Sequence, residues 1–462
     1  MLAADKIFRE YDIRGEVGLH FDSEFAFALG RAYAGMVKDR TGKDAPTVAV
    51  GRDCRLTGEE ISEQLIKGIC QEGVSVVRTG MGPTPQLYFS VFSKDLDGGV
   101  QVTASHNPAP DNGFKIMVGK NTLKGSDIQE LRERVHALGA LDEASTKGGV
   151  EDFDAPSAYL AEMLSISKPS VGSSKKLKLV VDGGNGAGGP VGVKLLRDLG
   201  CEVVELYTEP DGRFPNHHPD PTVLENIAEL REKVVQEGAD AGIAWDGDAD
   251  RIGVVDERGE VVWGDMLLVV FGQQLAKEVE NPIVIGDVKC SQNMFDALRA
   301  EGCDAVMWKT GHSLIKAKLK ELGAHLAGEM SGHMFFSHRY FGFDDALHSS
   351  ARLVEILSNT EKSLSQLLET VPQSVSTPEI RVDCPDEVKF EVVSKAQKSF
   401  SDYEVNELDG ARISFEHGWG LVRASNTQPA LVLRFEADSS ENLEQYQGIV
   451  RSKLDEILAS VG

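Results

Sequence analysis

Across residues 1–369 one order of elements keeps returning: a short apolar strand, a turn of small or charged residues, then an amphipathic helix. Pro46 to Val50 reads as a buried strand that runs into Gly51-Arg52-Asp53 and a helix over 57–72, with Thr57 as its expected N-cap. Leu177 to Asp182 runs into Gly183-Gly184-Asn185-Gly186-Ala187-Gly188-Gly189-Pro190 and another helix, and Pro282–Gly286 into Asp287-Val288-Lys289 and a third. A chain patterned this way must cover its strands with helices, which predicts an α/β fold. From Val371-Pro372 the rhythm changes to a strand, a helix, two or three strands through Phe435 and a terminal helix. The spacing therefore predicts three similar α/β units with mostly parallel sheets, 1–150, 151–256 and 257–369, and a smaller α+β unit, 370–462. Helices are also expected over 23–39, 155–164, 224–237 and 344–357, and a tight turn at Asp111-Asn112-Gly113.

Composition narrows the function. The 462 residues carry a formal charge of −25, which argues against nucleic acid or an anionic membrane as partner. Positive charge for an anionic substrate must then be concentrated locally. Cys54, Cys70, Cys201, Cys290, Cys303 and Cys384 are scattered without CxxC spacing, a pattern of reduced thiols in a cytoplasmic protein. The start has no apolar signal region, and no apolar run reaches the length of a membrane span. Nothing in the pattern demands an oligomer, so a monomer is expected.

Chemistry in such folds gathers where strands end. The strand from Gly98 to Val102 enters Thr103-Ala104-Ser105-His106-Asn107-Pro108, with the Ser105 hydroxyl at the crest of the turn. A second strand ends in Asp246-Gly247-Asp248-Ala249-Asp250-Arg251, three carboxylates at alternate positions whose repulsion a divalent cation would relieve. All-oxygen ligands favour Mg²⁺ or Ca²⁺ over zinc. An EF-hand is a poor alternative, because Arg251 stands where that loop needs glycine. A third turn, Gly328-Glu329-Met330-Ser331-Gly332-His333, offers Glu329 and Ser331 to neighbouring sugar hydroxyls. A fourth, Arg423-Ala424-Ser425-Asn426-Thr427-Gln428-Pro429, with Arg434 on the outgoing strand, has the makings of a phosphate cradle. The glycine run at 183–190 matches neither dinucleotide nor P-loop signatures and reads as a sharp turn. Lys115, His312 and His333 are the available acid/base groups.

These turns, together with Tyr11-Asp12-Ile13-Arg14-Gly15, occur in the order found in the α-D-phosphohexomutase superfamily, and the chain resembles its bacterial phosphomannomutase/phosphoglucomutase branch over essentially its whole length. The resemblance implies four domains around a central cleft, three of them α/β with mixed sheets and the last a smaller α+β domain, and a phosphoserine at Ser105. It implies one Mg²⁺ held by Asp246, Asp248, Asp250 and the phosphorylated Ser105, with Arg251 supporting the metal loop. It further implies exchange of hexose 1-phosphate and hexose 6-phosphate through a hexose 1,6-bisphosphate, which also primes the enzyme. On the same ground, Ser105, Lys115, His333, Arg14 and His106 form the catalytic set. Tyr11, Lys289, His312, Glu329, Ser331, Arg423, Ser425, Asn426, Thr427 and Arg434 would bind the phosphosugar. Mannose and glucose phosphates are the expected substrates. A glucosamine phosphate mutase, a Mg²⁺-dependent sugar phosphatase and a non-catalytic phosphosugar-binding protein are the alternatives.

Overall fold

The computed structural model describes residues 3–139, 147–173, 175–426 and 429–461. They form four sheets. The first runs Ile13–Glu16, Asp111–Val118, Gly98–Val102, Thr47–Arg52, Ser75–Met81 and Val150–Asp152, with Asn121–Thr122 beside Asp111–Val118. The second runs Val261–Val262, Ile252–Asp256, Ala241–Trp245, Lys178–Asp182 and Glu202–Leu206. The third runs Asp304–Trp308, Ile283–Asp287, Leu326–Gly328 and Met334–Phe336. The fourth runs Val375–Ser376, Ala430–Ala437, Gly418–Ala424, Ala411–Phe415 and Glu404–Asn406, with Ile380–Asp383 also on Ala430–Ala437. Val150–Asp152 ends the first sheet and Val261–Val262 edges the second.

The three α/β sheets share one feature that the alternation of elements does not reveal. Each is parallel on one side and turns antiparallel at a single place. Gly98–Val102 is parallel to Thr47–Arg52 but antiparallel to Asp111–Val118. Ala241–Trp245 is parallel to Lys178–Asp182 but antiparallel to Ile252–Asp256. Leu326–Gly328 is parallel to Ile283–Asp287 but antiparallel to Met334–Phe336. Antiparallel neighbours need only a short connection, whereas parallel ones need a crossover that is usually a helix. The turn at each switch therefore stays at the strand end, uncovered by a helix. Those turns are the Ser105, Asp246 and Glu329 loops.

Locally the sequence explains most elements, and three expectations need correction. The helix Ser23–Thr41 starts where Asp22 accepts from the Phe25 N–H and stops at Gly42, whose φ is 68°. The helix Gly58–Gln71 begins where expected, but Thr57 does not cap it. Its hydroxyl instead accepts from the Asn112 amide at 3.0 Å. Asp111-Asn112-Gly113 is the start of a strand rather than a tight turn, because it pairs with Arg14, Gly15 and Glu16 in the neighbouring strand. Gly113 is required there, since a Cβ would lie 2.2 Å from the Ile13 carbonyl oxygen. The helix expected over 224–237 forms only from Ala228, and the stretch before it is turns, with Leu224 exposed and Ile227 in the core of its own unit.

One continuous core joins three units: Leu87, Tyr88 and Phe89 from the first, Trp245, Leu195 and Leu196 from the second, Phe271 and Phe336 from the third. The fourth has its own core around Leu431, Leu433, Phe435, Val392 and Leu454. Among the described residues no helix is long and apolar enough to cross a membrane. Trp245 is 2 % exposed and donates its indole N–H to Ser350 at 3.0 Å, so it ties the second sheet to the helix Ala346–Ser358. Trp245→Ala should destabilise the joined core by ~3–5 kcal/mol, measured as a lower urea midpoint in far-ultraviolet circular dichroism.

Candidate active site

Ser105 lies just past the end of the strand Gly98–Val102 with φ 51°, a left-handed conformation that costs a serine about 1–3 kcal/mol. The Thr103 hydroxyl accepts from the Ser105 N–H at 2.9 Å and donates to Asp53 at 2.6 Å, fixing the turn from behind. The Ser105 hydroxyl consequently donates to Asp246 Oδ2 at 2.7 Å and sits 3.0 Å from His106 Nδ1. Gly247 allows this approach, because a Cβ there would be 2.4 Å from the Ser105 carbonyl oxygen. The glycine run at 183–190 supports the other side: the Ala187 N–H donates to the Gly247 carbonyl at 2.9 Å. Its backbone thus meets the neighbouring loop, in keeping with a sharp turn.

Asp246, Asp248 and Asp250 are all buried, and one oxygen of each lies within 4.8 Å of the other two. Asp246 Oδ1 accepts from the backbone N–H groups of Asp250 and Arg251, each at 3.1 Å. Oδ1 of Asp248 and of Asp250 is buried with no hydrogen-bond partner. Burial, with Asp250 and Asp248 beside it, pushes the Asp246 carboxyl well above the usual carboxylate range. Burial acts the same way on Asp248, yet the Lys115 ammonium, Thr84 and Arg14 overcome it and hold that carboxyl well below the range. A hard dication fits this donor set: buried oxygens at short mutual distance, two of them unpaired.

Cations close round the carboxylates. Lys115, on the strand next to Ser105's own, places Nζ 2.6 Å from Asp248 and also against Asp250. Burial opposes its charge, but those two carboxylates raise the Lys115 ammonium overall. Arg14 is paired with Asp12 at 2.7 Å and donates to Asn107 Oδ1 at 3.2 Å, within the serine loop. Arg251 donates from Nε to His333 Nε2 at 2.9 Å. Burial, with Arg251 and Arg14 nearby, pushes the His106 imidazole well below the histidine range and keeps it neutral.

The third loop supplies an acceptor and two imidazoles. Glu329 is buried and accepts from the Gly311 N–H at 2.6 Å, with the Ser331 hydroxyl 3.5 Å from its other oxygen. Burial raises its carboxyl above the ordinary range. His333 Nδ1 is 3.2 Å from Asp344 Oδ2, and its ring stacks on His312 with centroids 5.7 Å apart. Because Arg251 donates to Nε2, that nitrogen is the accepting one of the His333 ring. Burial and Lys316 push the His312 imidazole well below its usual range.

The fourth unit reaches this region across the cleft. Tyr11 donates to the Thr310 carbonyl at 3.0 Å and accepts from the Asn426 amide at 2.6 Å, so one phenol touches the first, third and fourth units. Arg423 pairs with Asp409 at 3.2 Å, and Arg434 lies 3.7 Å from Asp265 and donates to the Lys289 carbonyl. Lys289 pairs with Glu379 at 2.6 Å, and that ammonium brings the Glu379 carboxyl down to about 2. Ser425 is buried, and its carbonyl accepts from Lys389 at 2.6 Å. Thr427 lies outside the described residues.

Contacts thus join Ser105 to Asp246, Lys115 to Asp248 and Asp250, and Arg251 to His333 in one group, and elsewhere join Tyr11 to Asn426 and Lys289 to Arg434. Asp344, Thr84, Asp53 and Arg55 were missed. Asp344 joins His333, His312 and Lys316. Nothing in the sequence around it marks the role, whereas Asp53 and Arg55 follow a strand end and were findable on that ground.

Comparison with known proteins bears on all four units. Residues 5–140, 157–259, 263–375 and 379–453 match, in order, the domain I, II and III and C-terminal domain families of phosphoglucomutase/phosphomannomutase. A phosphomannomutase/phosphoglucomutase of Pseudomonas putida is 46% identical over 452 residues, 97% of this chain and 96% of that protein. A phosphoglucomutase of Neisseria gonorrhoeae is 41% identical over 454 residues, 97% and 96% of the two chains. The crystal structure of a phosphoglucomutase/phosphomannomutase family protein from Burkholderia thailandensis superposes with a TM-score of 0.90 at 40% identity, covering 99% of this chain and 98% of that one. Agreement in domain order, sequence and fold over nearly the full length leaves one conclusion: the chain belongs to the phosphoglucomutase/phosphomannomutase family.

Proposed function

We propose that the protein interconverts hexose 1-phosphate and hexose 6-phosphate, of mannose and of glucose, with Ser105 as the residue that stores the phosphoryl group. The observation that carries this is the Ser105 hydroxyl, 2.7 Å from Asp246 in a loop of three buried carboxylates ringed by Lys115, Arg14 and Arg251. Phosphoryl transfer needs alignment and charge stabilisation above all, and this arrangement offers both. Mg²⁺, held by Asp246, Asp248, Asp250 and the phosphorylated Ser105, would supply countercharge for the phosphoryl oxygens. The phosphoryl passes from Ser105 to the free hydroxyl of the sugar phosphate. The resulting 1,6-bisphosphate turns over in the cleft, and its other phosphate returns to Ser105. A hexose 1,6-bisphosphate from outside primes an unphosphorylated chain.

The remaining residues divide by what a turning substrate needs. The non-reacting phosphate, in either orientation, sits on Arg423, Ser425, Asn426, Thr427 and Arg434. Glu329 and Ser331 accept sugar hydroxyls both ways round, with Lys289 and His312 beside them. Tyr11 and Arg14 border the reacting phosphate. Lys115 and His333 move the proton of the attacking or leaving hydroxyl. Arg251 turning from His333 to an incoming phosphate would free the Nε2 lone pair for that proton. In the structure Asp409 and Asp265 already hold Arg423 and Arg434, so carboxylates occupy the guanidinium groups that a substrate phosphate would take over. The same reading keeps four domains, 1–150, 151–256, 257–369 and 370–462, in a cytoplasmic monomer.

A coupled assay with mannose 1-phosphate, glucose 1-phosphate and glucosamine 1-phosphate, primed with a hexose 1,6-bisphosphate, tests the reading directly. Turnover of the first two is expected. Release of inorganic phosphate in place of isomerisation would make the protein a phosphatase, and binding without turnover would make it a phosphosugar-binding protein. Ser105→Ala should lose at least ~10³-fold in kcat, keep the circular dichroism of the parent and show no phosphate in intact mass after priming. Arg423→Ala should raise KM by ~10–100-fold, the loss of a charge-assisted hydrogen bond to phosphate. Because the Asp246 carboxyl is pushed up, its proton must leave for Mg²⁺ to bind. Titration calorimetry should therefore show tighter Mg²⁺ binding and less proton release as the pH rises through that group.

A further inference from the structure

Arg55 follows the strand Thr47–Arg52, and its side chain is 0 % exposed. Its guanidinium lies beneath the serine loop. Nη1 donates to the carbonyls of Pro108 at 2.7 Å and Asp111 at 2.8 Å. Nη2 donates to the carbonyls of Ser105 at 2.8 Å and Asn107 at 2.6 Å. Nε lies 3.2 Å from Asp53 Oδ2, and the ring of Phe214, from the second unit, covers the guanidinium at 5.2 Å. One cation therefore gathers carbonyls from along the loop, including that of the left-handed Ser105 itself.

We propose that Arg55 is a positioning residue for phosphoryl transfer, holding the Ser105 loop in the backbone shape that aims the serine oxygen at Asp246. The proposal rests on Ser105 as phosphoryl carrier. A loop whose carbonyls turn inward needs a donor for each of them, and water cannot reach a fully buried site to provide it. The planar fork of arginine presents separate N–H groups to separate acceptors; a lysine ammonium is one point with three donors and cannot span the same carbonyls. The Ser105 carbonyl matters most. Its direction sets the ψ angle of Ser105 and, with the N–H held by Thr103, fixes the direction in which Cβ leaves the backbone, from which the hydroxyl reaches Asp246. Phe214 passes the constraint between units, since the face it covers belongs to the cation that holds the loop. The side-chain partners of Arg55 among the described residues, Ser105, Asn107, Pro108, Asp111, Asp53 and Phe214, include none of the groups assigned to the sugar or the resting phosphate.

The separation defines the test. Arg55→Lys, in the full chain primed with glucose 1,6-bisphosphate, is expected to lose ~10²-fold in kcat for glucose 1-phosphate, the scale of an ångström's misplacement. KM should stay within about twofold, because the binding groups are untouched. Intact mass should still show phosphate on Ser105, and its loss to water, phosphoserine going to serine and inorganic phosphate, should be faster than in the parent. A variant with kcat within about threefold of the parent overturns the proposal, as does a KM that rises in step with the fall in kcat. Arg55→Gln is the second variant should Arg55→Lys fail to fold: one amide cannot serve the four carbonyls that the guanidinium holds, and the same split between kcat and KM decides. A parent that takes up no phosphate when primed overturns the phosphoserine reading and the role of Arg55 with it. A primed, active parent with an unimpaired variant overturns the role of Arg55 alone.

Discussion

Three carboxylates buried within 4.8 Å of one another are the condition to which the rest of the molecule answers. Left alone, such a cluster would take up protons, as the raised Asp246 carboxyl shows. The fold surrounds it with cations from separate units. Lys115 and Arg14 come from neighbouring strands of the first sheet, and Arg251 from the second unit. The overall charge of −25 makes this concentration of positive side chains a local achievement against a repelling background for anions. It also ties stability to function, because the first and second units are pressed together where a phosphoserine and a dication would meet.

Sheet topology explains why the chemistry collects there. Each α/β sheet reverses from parallel to antiparallel at one connection, and the loops bearing Ser105, Asp246 and Glu329 are those connections. In the fourth sheet Gly418–Ala424 and Ala430–Ala437 are antiparallel neighbours too. A common rule thus holds in all four sheets: antiparallel neighbours need no crossover helix, so a short link suffices.

The fourth unit differs in how it is attached. Its apolar core is its own, and Trp419 and Leu421 meet the third unit at Val288. Otherwise it meets the cleft through polar pairs: Asn426 with Tyr11, Glu379 with Lys289, Asp409 with Thr310. Such contacts exchange readily for contacts with a charged ligand, while the joined core of the other three units does not. On the proposed function, a phosphate cradle on a unit with its own core would release and recapture a phosphate without disturbing the loops that carry Ser105 and the carboxylates.

Spacing and residue type carried much of this. The alternation of strands and helices, the three alternate aspartates, the serine turn and the arginine-bearing turn are all local patterns, and local patterns survive as helices, strand ends and loops. Chemistry that depends on one loop could be read without knowing its neighbours. What tertiary structure alone decided was partnership. Asp111-Asn112-Gly113 looks like a turn, and became a strand because Ile13–Glu16 arrived beside it. Thr57 looks like a cap, but Asn112 claimed its hydroxyl. Asp344 gains its place from His333 and His312, and Arg55 from a loop distant in sequence. The chain's sequence determined which chemical groups it carries and where each strand delivers them. Burial then decided which groups meet, because a polar atom removed from water must take whatever partner the fold brings within reach.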